Sequence, residues 1–302
     1  MKIVFFGTPD FAVQSLARIH TEFELLAVVT AVDKPAGRGH LLQFSAVKNW
    51  ALQHNINVLQ PKNLKSKNFL RELELIKADL FIVVAFRMLP KQVWNFPKYG
   101  TVNLHASLLP DYRGAAPIQR AIMAGEKTSG VSCFILRDEI DTGDIILQES
   151  IDISPIDTGG TLHDKMSIIG AELLVKSIFK LQEKTFLPIP QETYSNKIAP
   201  KIFPEDCIIN WDDSAMNVYN FIRALSPYPT AKTHYKESSF KIFRTSISTE
   251  KSNADSGVWK LDLINHTLKI ACVDYFLIIE EIQEASKKRM NIKEYINGLK
   301  NK

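Results

Sequence analysis

Cysteine is scarce and scattered in this sequence. Three cysteines occur among 302 residues, at Cys133, Cys207 and Cys272, and none belongs to a CxxC pair or to a cluster with histidine. An odd number of distant cysteines argues against a disulfide framework, and the missing cysteine and histidine spacing argues against a zinc site. We expect three reduced thiols, most of them buried, and no metal.

Long apolar runs are also lacking. The best stretch, DLFIVVAF at 79–86, has the length of a strand, well below the roughly 18 residues that a membrane helix requires. The first residues, MKIVFFGTPDF, contain no small-residue cleavage site and are typical of a core strand and its turn, not of a signal peptide. Hydrophobic residues at 45% and charged residues at 23% are ordinary for a globular protein. We therefore expect a soluble, cytoplasmic protein without membrane contact.

The positive charge is small and unevenly distributed. The net charge is +4, and residues 287–302 carry six lysines and arginines against one glutamate. Such a basic tail can contact nucleic acid, but it is also typical of a solvated, frayed terminus, and composition alone favours the second interpretation.

The first 150 residues alternate between short apolar runs and amphipathic segments. Five runs rich in valine, isoleucine, leucine and phenylalanine have the length of buried parallel strands, at 2–7, 24–30, 56–60, 79–86 and 101–106. The alternation predicts a doubly wound, mostly parallel α/β sheet, which runs at 131–136 and 145–153 extend as a hairpin. A long helix is predicted next, from a cap at Asp157 or Thr158 to about Lys184.

The composition changes after residue 185. Residues 186–204 are rich in proline, glutamine, threonine and asparagine without periodicity, which is typical of a linker. One helix is predicted at 212–226, and short β-rich runs separated by turn residues follow it. The sequence thus predicts a first domain at 1–185, a linker at 186–204 and a small β-barrel domain at 205–302.

The turn after the first strand lacks the pattern of a dinucleotide site. Gly7, Thr8, Pro9 and Asp10 stand where a helix should begin, and their amide groups could meet an anion. A GxGxxG motif and an acidic residue about 20 positions later are missing, which argues against a Rossmann dehydrogenase. A structural turn is the favoured interpretation.

Asn103, His105 and Asp141 form the strongest candidate site. Asn103 and His105 are two residues apart on a strand, so both side chains leave one face, at the sheet edge where ligands of open α/β sheets bind. An amide donor and an imidazole together suit a carbonyl that gains negative charge. Asp141, in the turn DTG, could orient His105 and accept protons. Each of the three is also a common surface or capping residue, and the residues alone leave that alternative open.

Six segments, in order along nearly the whole chain, resemble the methionyl-tRNA formyltransferase family. They are GTPDFA at 7–12, DKPAGRG at 33–39, NLHASLLPDYRGAAPIQRAIMAGE at 103–126, DTGDI at 141–145, FIRALSPYPTA at 221–231 and KKRM at 287–290. The resemblance implies a Rossmann-like catalytic domain followed by an OB-like barrel that binds tRNA. It also implies an enzyme that transfers a formyl group from 10-formyltetrahydrofolate to the methionine carried by initiator tRNA.

The same resemblance implies roles for individual residues. Asn103, His105 and Asp141 would be catalytic. One wall of the folate site would be formed by Ser107, Leu108, Leu109 and Pro110. The main chain of a loop would also hold the folate, and this loop consists of Phe86, Arg87, Met88 and Leu89. The family typically has AYGxILP at the loop, whereas this sequence has the shorter AFRMLP at 85–90. We expect the Arg87 side chain to point into solvent.

Partners follow from the resemblance as well. It implies a monomer that contacts tRNA through Lys34 and Arg38 of the DKPAGRG loop and through Lys287, Lys288 and Arg289 of the tail. Formyl transfer to an amino sugar nucleotide or to glycinamide ribonucleotide is the nearest rival, although the enzyme for the latter usually lacks a second domain. A noncatalytic RNA-binding module is a rival of another class, against which the three candidate catalytic residues argue.

Overall fold

The computed structural model describes residues 1–36, 41–191 and 195–300. The chain divides into two compact units. Unit 1 contains Met1–Gly114, Ser129–Asp152 and His163–Ile198, and unit 2 contains Ala115–Thr128, Ile153–Leu162 and the residues from Ala199 onward. Among the described residues, we find no helix with the length and hydropathy of a membrane span.

Strands and helices alternate in the first part of the chain. They are β1 (Lys2–Gly7), α1 (Phe11–Glu22), β2 (Glu24–Val29), β3 (Lys34–Ala36), β4 (Leu41–Gln43), α2 (Ala46–Gln53), β5 (Val58–Leu59), α3 (Lys67–Ile76), β6 (Leu80–Val84), α4 (Lys91–Trp94), β7 (Thr101–His105), β8 (Arg113–Gly114), α5 (Pro117–Met123), β9 (Thr128–Ile135), β10 (Ile145–Asp152) and α6 (Gly159–Gln182). The second part is mostly strands: β11 (Ile198–Ala199), a short 3-10 helix (Glu205–Cys207), α7 (Ala215–Leu225), β12 (Ala231–Tyr235), β13 (Ser238–Lys251), β14 (Trp259–Asp262), β15 (Thr267–Ala271), β16 (Tyr275–Glu284), β17 (Met290–Asn291) and α8 (Ile292–Lys300).

Unit 1 is built on a seven-stranded sheet with the strand order β10-β9-β7-β6-β1-β2-β5. The strands from β7 to β5 are parallel to one another, and β9 runs antiparallel to β7. The chain builds from β1 through β2 to β5 and then returns to β6 on the other side of β1. The predicted α/β class and the mostly parallel sheet are confirmed, and the strand order reverses beside β1, where such sheets bind ligands.

The first strand and its turn are fixed by close packing. Residues 3–6 of β1 are fully buried. A Cβ at Gly7 would lie 2.7 Å from the Phe5 ring and 2.9 Å from the Ala12 Cβ, so only glycine fits where the strand ends. Asp10 then caps α1 with its side chain. The packing of GTPDFA at 7–12 thus agrees with the structural turn that the sequence predicts.

Unit 2 is dominated by an antiparallel sheet with the strand order β12-β13-β16-β15-β14, and β17 pairs with β16. The register of β13 against β16 shifts at three points, and such irregularities bend and twist a long strand. Ile222 and Leu225 of α7 join the apolar core of this sheet, which includes Ile242, Ile270 and Leu277. The predicted β-rich C-terminal part is confirmed as an antiparallel sheet domain.

A buried arginine ties α7 to the segment that precedes α6. Arg223 is 7% exposed, and its guanidinium donates to the Asn220 side-chain oxygen at 2.9 Å. It also donates to the carbonyls of Ser154 at 3.2 Å and Asp157 at 2.8 Å. Burial lowers the pKa of Arg223.

The two glycines that begin α6 allow the backbones of this region to meet. A Cβ at Gly159 would lie 2.2 Å from the Ala224 carbonyl oxygen, and one at Gly160 would lie 2.6 Å from the Pro227 ring. The Gly160 amide donates to the Ser226 carbonyl at 3.0 Å. The segments TGG at 158–160 and RALSP at 223–227 therefore pack closely against each other within unit 2.

Replacing Arg223 by methionine should destabilise the protein. Methionine fills much of the same space but leaves buried carbonyls without a donor, at a cost of about 1–3 kcal/mol for each unsatisfied group. Urea denaturation should give a lower midpoint for Arg223→Met. The exposed Arg71, changed to methionine in the same way, should leave the midpoint nearly unchanged. Equal midpoints for both variants would contradict a stabilising role of Arg223.

All three cysteines are free and buried, as expected. Burial raises the pKa of Cys133 and of Cys272 to about 12. Because the thiolate is the reactive form, these thiols should be inert toward alkylating reagents in the folded protein.

Candidate active site

Strand β7 presents Asn103 and His105 on one face near the carboxyl end of the sheet. Asn103 lies opposite Val83 of β6 and Phe134 of β9. Its side chain is half-buried, and within the described parts of the chain its amide has no hydrogen-bond partner. Both amide N–H groups are therefore available to a substrate.

His105 lies between a carbonyl and a carboxylate. The ring is buried, and its Nε2 lies 2.9 Å from the Tyr112 carbonyl oxygen. A carbonyl only accepts, so Nε2 carries the proton and donates. Nδ1 lies 3.8 Å from Oδ2 of Asp141. The Asp141 carboxylate therefore faces the Nδ1 side of the ring.

Asp141 stands in a strained turn and is held by a backbone donor. Its φ of 54° lies in the left-handed region, which is uncommon for a residue other than glycine. Oδ2 accepts a hydrogen bond from the Gly114 amide at 2.9 Å, and the carboxylate is 15% exposed. The structure thus brings together His105 and Asp141, two of the residues that the sequence singled out.

Gly143 lets the DTG turn approach the end of β9. A Cβ at this position would lie 1.6 Å from the Ile135 carbonyl oxygen and 3.1 Å from the Phe134 ring. No side chain can be accommodated there unless the turn moves away from β9. The position of Asp141 therefore depends on glycine two residues later.

Changing Gly143 to alanine should lower the turnover of this site by about 100-fold, since a displacement of about 1 Å at a reacting group can cost that much. The substrate KM values should change little, because the displaced turn acts on the reacting groups. Steady-state kinetics would measure this, with circular dichroism to verify folding. A folded Gly143→Ala protein with normal kcat would show that the turn tolerates the shift.

The segment from Ser107 to Pro110 is held rigidly by buried hydroxyl groups. Ser132 Oγ donates to the Ser107 carbonyl at 2.6 Å and accepts from the Leu109 amide at 3.0 Å. Gln148 Nε2 donates to the Leu109 carbonyl at 2.9 Å. Leu109 is buried, whereas Leu108 and Pro110 remain partly exposed. The predicted folate wall is therefore a fixed surface.

The shortened segment at 85–90 is also anchored. Phe86 packs edge-on against the Phe6 ring at 5.7 Å, and Leu89 is buried in the core of unit 1. Met88 is 69% exposed. Arg87 is exposed, as expected, but its guanidinium donates to the carbonyls of Pro61 and Lys62. The arginine therefore fixes the loop from its outer side.

A polar network joins Asp33 to Lys48 and Gln60. Lys48 Nζ donates to Asp33 at 2.5 Å and to Gln60 at 2.8 Å, and Gln60 donates to Asp33 at 2.8 Å. The Lys48 ammonium also lies 4.0 Å from the centre of the Phe44 ring. The hydrogen bond from Lys48, and then that from Gln60, holds the pKa of Asp33 below its ordinary value. Lys34 is exposed on β3, and Arg38 lies outside the described residues.

Two of the three adjacent cations at 287–289 pair with glutamates of the preceding strand, β16. Lys287 pairs with Glu284, and Arg289 pairs with Glu281. The Arg289 guanidinium also lies 4.3 Å from the centre of the Phe243 ring. Lys288 is exposed and has no ion pair within the part of the chain that is described.

A cavity of about 480 Å³ opens beside these cations in unit 2 and is lined partly by Tyr295 and Leu299 of α8. No titratable residue of the β7 site lines it. No group of three or more histidine, cysteine, aspartate or glutamate residues suited to a metal is found in the described ranges.

Sequence reasoning missed three partners of the site. The Tyr112 carbonyl and the Gly114 amide are main-chain groups, which carry no residue-type signal. The third is Gln191, whose amide Nε2 donates to the carbonyls of Asp141 at 3.0 Å and Gly143 at 2.6 Å. It belongs to the segment predicted as a linker, where nothing in the local pattern marks it.

Two family models cover most of the chain. The model described as "Formyl transferase" matches residues 1–178, and the model described as "Formyl transferase, C-terminal domain" matches residues 201–300. Asn103, His105 and Asp141 lie within the first match, and the cations at 287–289 lie within the second.

The chain is similar to solved structures at the level of fold. It matches HypX from Aquifex aeolicus in complex with tetrahydrofolic acid with a TM-score of 0.68 and 19% identity, over 98% of this chain. The match spans about half of HypX, 47% of that chain. It matches the methionyl-tRNA formyltransferase from Clostridium thermocellum with a TM-score of 0.60 and 20% identity, over 83% of this chain and 95% of that one.

Sequence relatives are closer. The methionyl-tRNA formyltransferase of Parabacteroides distasonis is 44% identical, over 99% of this chain and 96% of the relative. The enzyme of the same name from Flavobacterium johnsoniae is 43% identical, over the same shares. At this identity and coverage, together with both family matches, the chain belongs to the methionyl-tRNA formyltransferase family.

Proposed function

We propose that this chain transfers the formyl group of 10-formyltetrahydrofolate to the α-amine of methionine on initiator tRNA. The observation that carries the proposal is the pair His105 and Asp141, with Nδ1 and Oδ2 3.8 Å apart. His105 lies on the strand that also presents the amide of Asn103, which has no partner in the described residues. Similarity over nearly the full length to enzymes named methionyl-tRNA formyltransferase supports the same reaction.

The amine is the nucleophile in the proposed reaction. A model α-amino group has a pKa of about 7.7–8.0, so a useful neutral fraction exists at neutral pH. The nitrogen attacks the formyl carbon, the new C–N bond forms, and the bond from that carbon to N10 of the folate breaks. The amine loses a proton and N10 gains one, so no covalent enzyme intermediate is required.

Charge stabilisation is the main task of the protein. As the amine adds, the formyl oxygen becomes an oxyanion. The free N–H groups of Asn103 are suited to donate to it, and the positive charge of a protonated His105 would stabilise it. Asp141 favours the imidazolium by its charge and can accept the proton that the amine releases before N10 receives it.

The folate is proposed to lie against two anchored segments. Ser107 to Pro110, which follow β7, form a fixed wall. Phe86 to Leu89, which follow β6, offer main-chain groups. Both segments follow the carboxyl ends of parallel strands, where open α/β sheets bind ligands.

The tRNA is proposed to contact Lys34 and Arg38 of the first loop and the cations Lys287, Lys288 and Arg289. We also propose the functional division 1–185, 186–204 and 205–302, an OB-like barrel for the last part, a monomeric state and a cytoplasmic location. The antiparallel sheet of unit 2 and its exposed cations support the assignment of tRNA binding to the C-terminal part.

Lys288 should contribute to tRNA binding, because it is exposed and has no ion pair in the described part of the chain. Each phosphate contact that is lost reduces the slope of log affinity against log salt by about 1. We expect Lys288→Ala to weaken binding and to flatten this slope, measured by filter binding at several salt concentrations. Lys67→Ala, which removes an exposed lysine of α3, should leave the slope unchanged. Identical slopes for both variants would remove Lys288 from the interface.

The proposed function is tested by acid-stable formyl incorporation. Initiator Met-tRNA, elongator Met-tRNA, glycinamide ribonucleotide and an amino sugar nucleotide are offered in parallel with 10-formyltetrahydrofolate. Transfer to the initiator alone is expected. Transfer to a small amine instead would keep the catalytic site and overturn the tRNA substrate, and no transfer to any acceptor would favour a noncatalytic RNA-binding protein.

A further inference from the structure

Gln191 reaches the catalytic turn from a segment without regular structure. Its amide nitrogen donates two hydrogen bonds, to the carbonyls of Asp141 at 3.0 Å and Gly143 at 2.6 Å. These carbonyls flank Thr142, so one side chain bridges the whole turn. A carbonyl pair aligned in this way requires a group with two donors, which the glutamine amide supplies.

Arg113 fixes the other end of the same amide. Its Nε and Nη2 both donate to the Gln191 side-chain oxygen, at 3.2 and 2.7 Å. Because a guanidinium only donates, this contact assigns the oxygen and the nitrogen of the Gln191 amide without ambiguity. Arg113 and Gln191 together form a relay from β8 to the DTG turn.

The relay closes a ring of contacts around Asp141. Gly114, which follows Arg113, donates its amide to Oδ2 of Asp141 at 2.9 Å. Gln191 holds the carbonyl of the same aspartate. The side chain and the main chain of Asp141 are thus tied to β8 by two separate routes, and a residue with a φ of 54° needs such support to keep its position.

We propose that Gln191 is a positioning residue for formyl transfer, which acts by holding Asp141 at its distance from His105. The proposal rests on the proposed function. Gln191 does not touch reacting atoms in this assignment. Its loss moves the Asp141 carboxylate and so reduces the charge that faces the imidazole.

The test uses Gln191→Glu and Gln191→Asn in the full-length enzyme. Glutamate keeps the shape and can still accept from Arg113, but it cannot donate to the two carbonyls, so the turn should shift while the fold persists. Asparagine keeps the donors and shortens the reach. We expect kcat to fall by about 10- to 100-fold in Gln191→Glu, as for a small displacement of a reacting group, with KM for folate and tRNA within about twofold.

The split between kcat and KM distinguishes positioning from general stability. With Asp141 displaced, the reacting groups lose their alignment while the binding surfaces stay in place, so kcat should fall at a nearly constant KM and melting temperature. A merely structural defect would lower the melting temperature. Gln53→Glu, the same change at an exposed glutamine of α2, is the matched control and should leave kcat and KM unchanged.

The outcomes separate the two proposals. An inactive wild-type enzyme with every formyl acceptor overturns the proposed function. An active wild type whose Gln191→Glu variant keeps its kcat overturns the positioning role alone. A lower kcat accompanied by a raised KM and a lower melting temperature also overturns it, in favour of a structural link.

Discussion

Replacing His105 by alanine is expected to lower kcat for formyl transfer by about 100- to 10,000-fold, the range for a lost general acid or base. The substitution removes the imidazole that faces Asp141 and, in the proposed reaction, the positive charge that stabilises the oxyanion. The KM for tRNA should remain within about threefold, because His105 is buried on β7, whereas Lys34 and Lys288, two of the proposed tRNA contacts, are exposed. Single-turnover formylation of initiator Met-tRNA would measure the effect.

Asp141→Asn provides the companion variant for this experiment. The amide is nearly isosteric and can still accept from Gly114, but it no longer carries the charge that favours the imidazolium. If His105 and Asp141 act as one unit, the double variant should be little worse than His105→Ala alone. Fully additive losses would show that the two groups act independently. His234→Ala, at an exposed histidine of β12, controls for the loss of an imidazole.

The sheet could be predicted because buried parallel strands have a simple signal. The run 79–86 is apolar after Asp79 and contains β6, and the run 101–106 contains β7. The weaker run 56–60 yields only the two residues of β5, since an edge strand needs less continuous burial. The long helix predicted to about Lys184 ends at Gln182.

The site could be predicted where local geometry sets it. The spacing of Asn103 and His105 on a strand places both side chains on one face, and β7 has this form. The contact of Asp141 with His105 required the resemblance, since nothing local relates a turn residue to a strand. The role of Gln191 could not be predicted from the sequence, because this residue is fifty positions from Asp141 and seventy-eight from Arg113 along the chain.

Charge in the tail illustrates a different limit. The sequence counts three adjacent cations at 287–289. In the structure, Glu284 and Glu281 neutralise two of them, because β16 places these carboxylates beside the chain that returns as β17. Net charge predicts a basic segment, whereas the pairing of two strands decides which of its charges a phosphate can meet.

Changing Asn103 to alanine should lower kcat by about 100- to 1,000-fold, which is the usual cost of one lost oxyanion donor. The amide has no partner in the described protein, so its removal should leave the melting temperature nearly unchanged. Loss of activity without loss of stability is the signature of a group kept free for a substrate. Kinetics and thermal unfolding of the same preparation would measure both.

Asn103→Asp sharpens the experiment, because the side chain keeps its size and changes only its chemistry. The carboxylate has no N–H group to donate and adds a negative charge where the oxyanion forms. It should therefore be at least as damaging as alanine, even though it fills the site. Asn217→Asp, on the exposed side of α7, gives the same charge change elsewhere and should preserve activity. A substantial kcat in Asn103→Asp would mean that His105 alone stabilises the oxyanion. The role of Asn103 would then be limited to shaping the pocket.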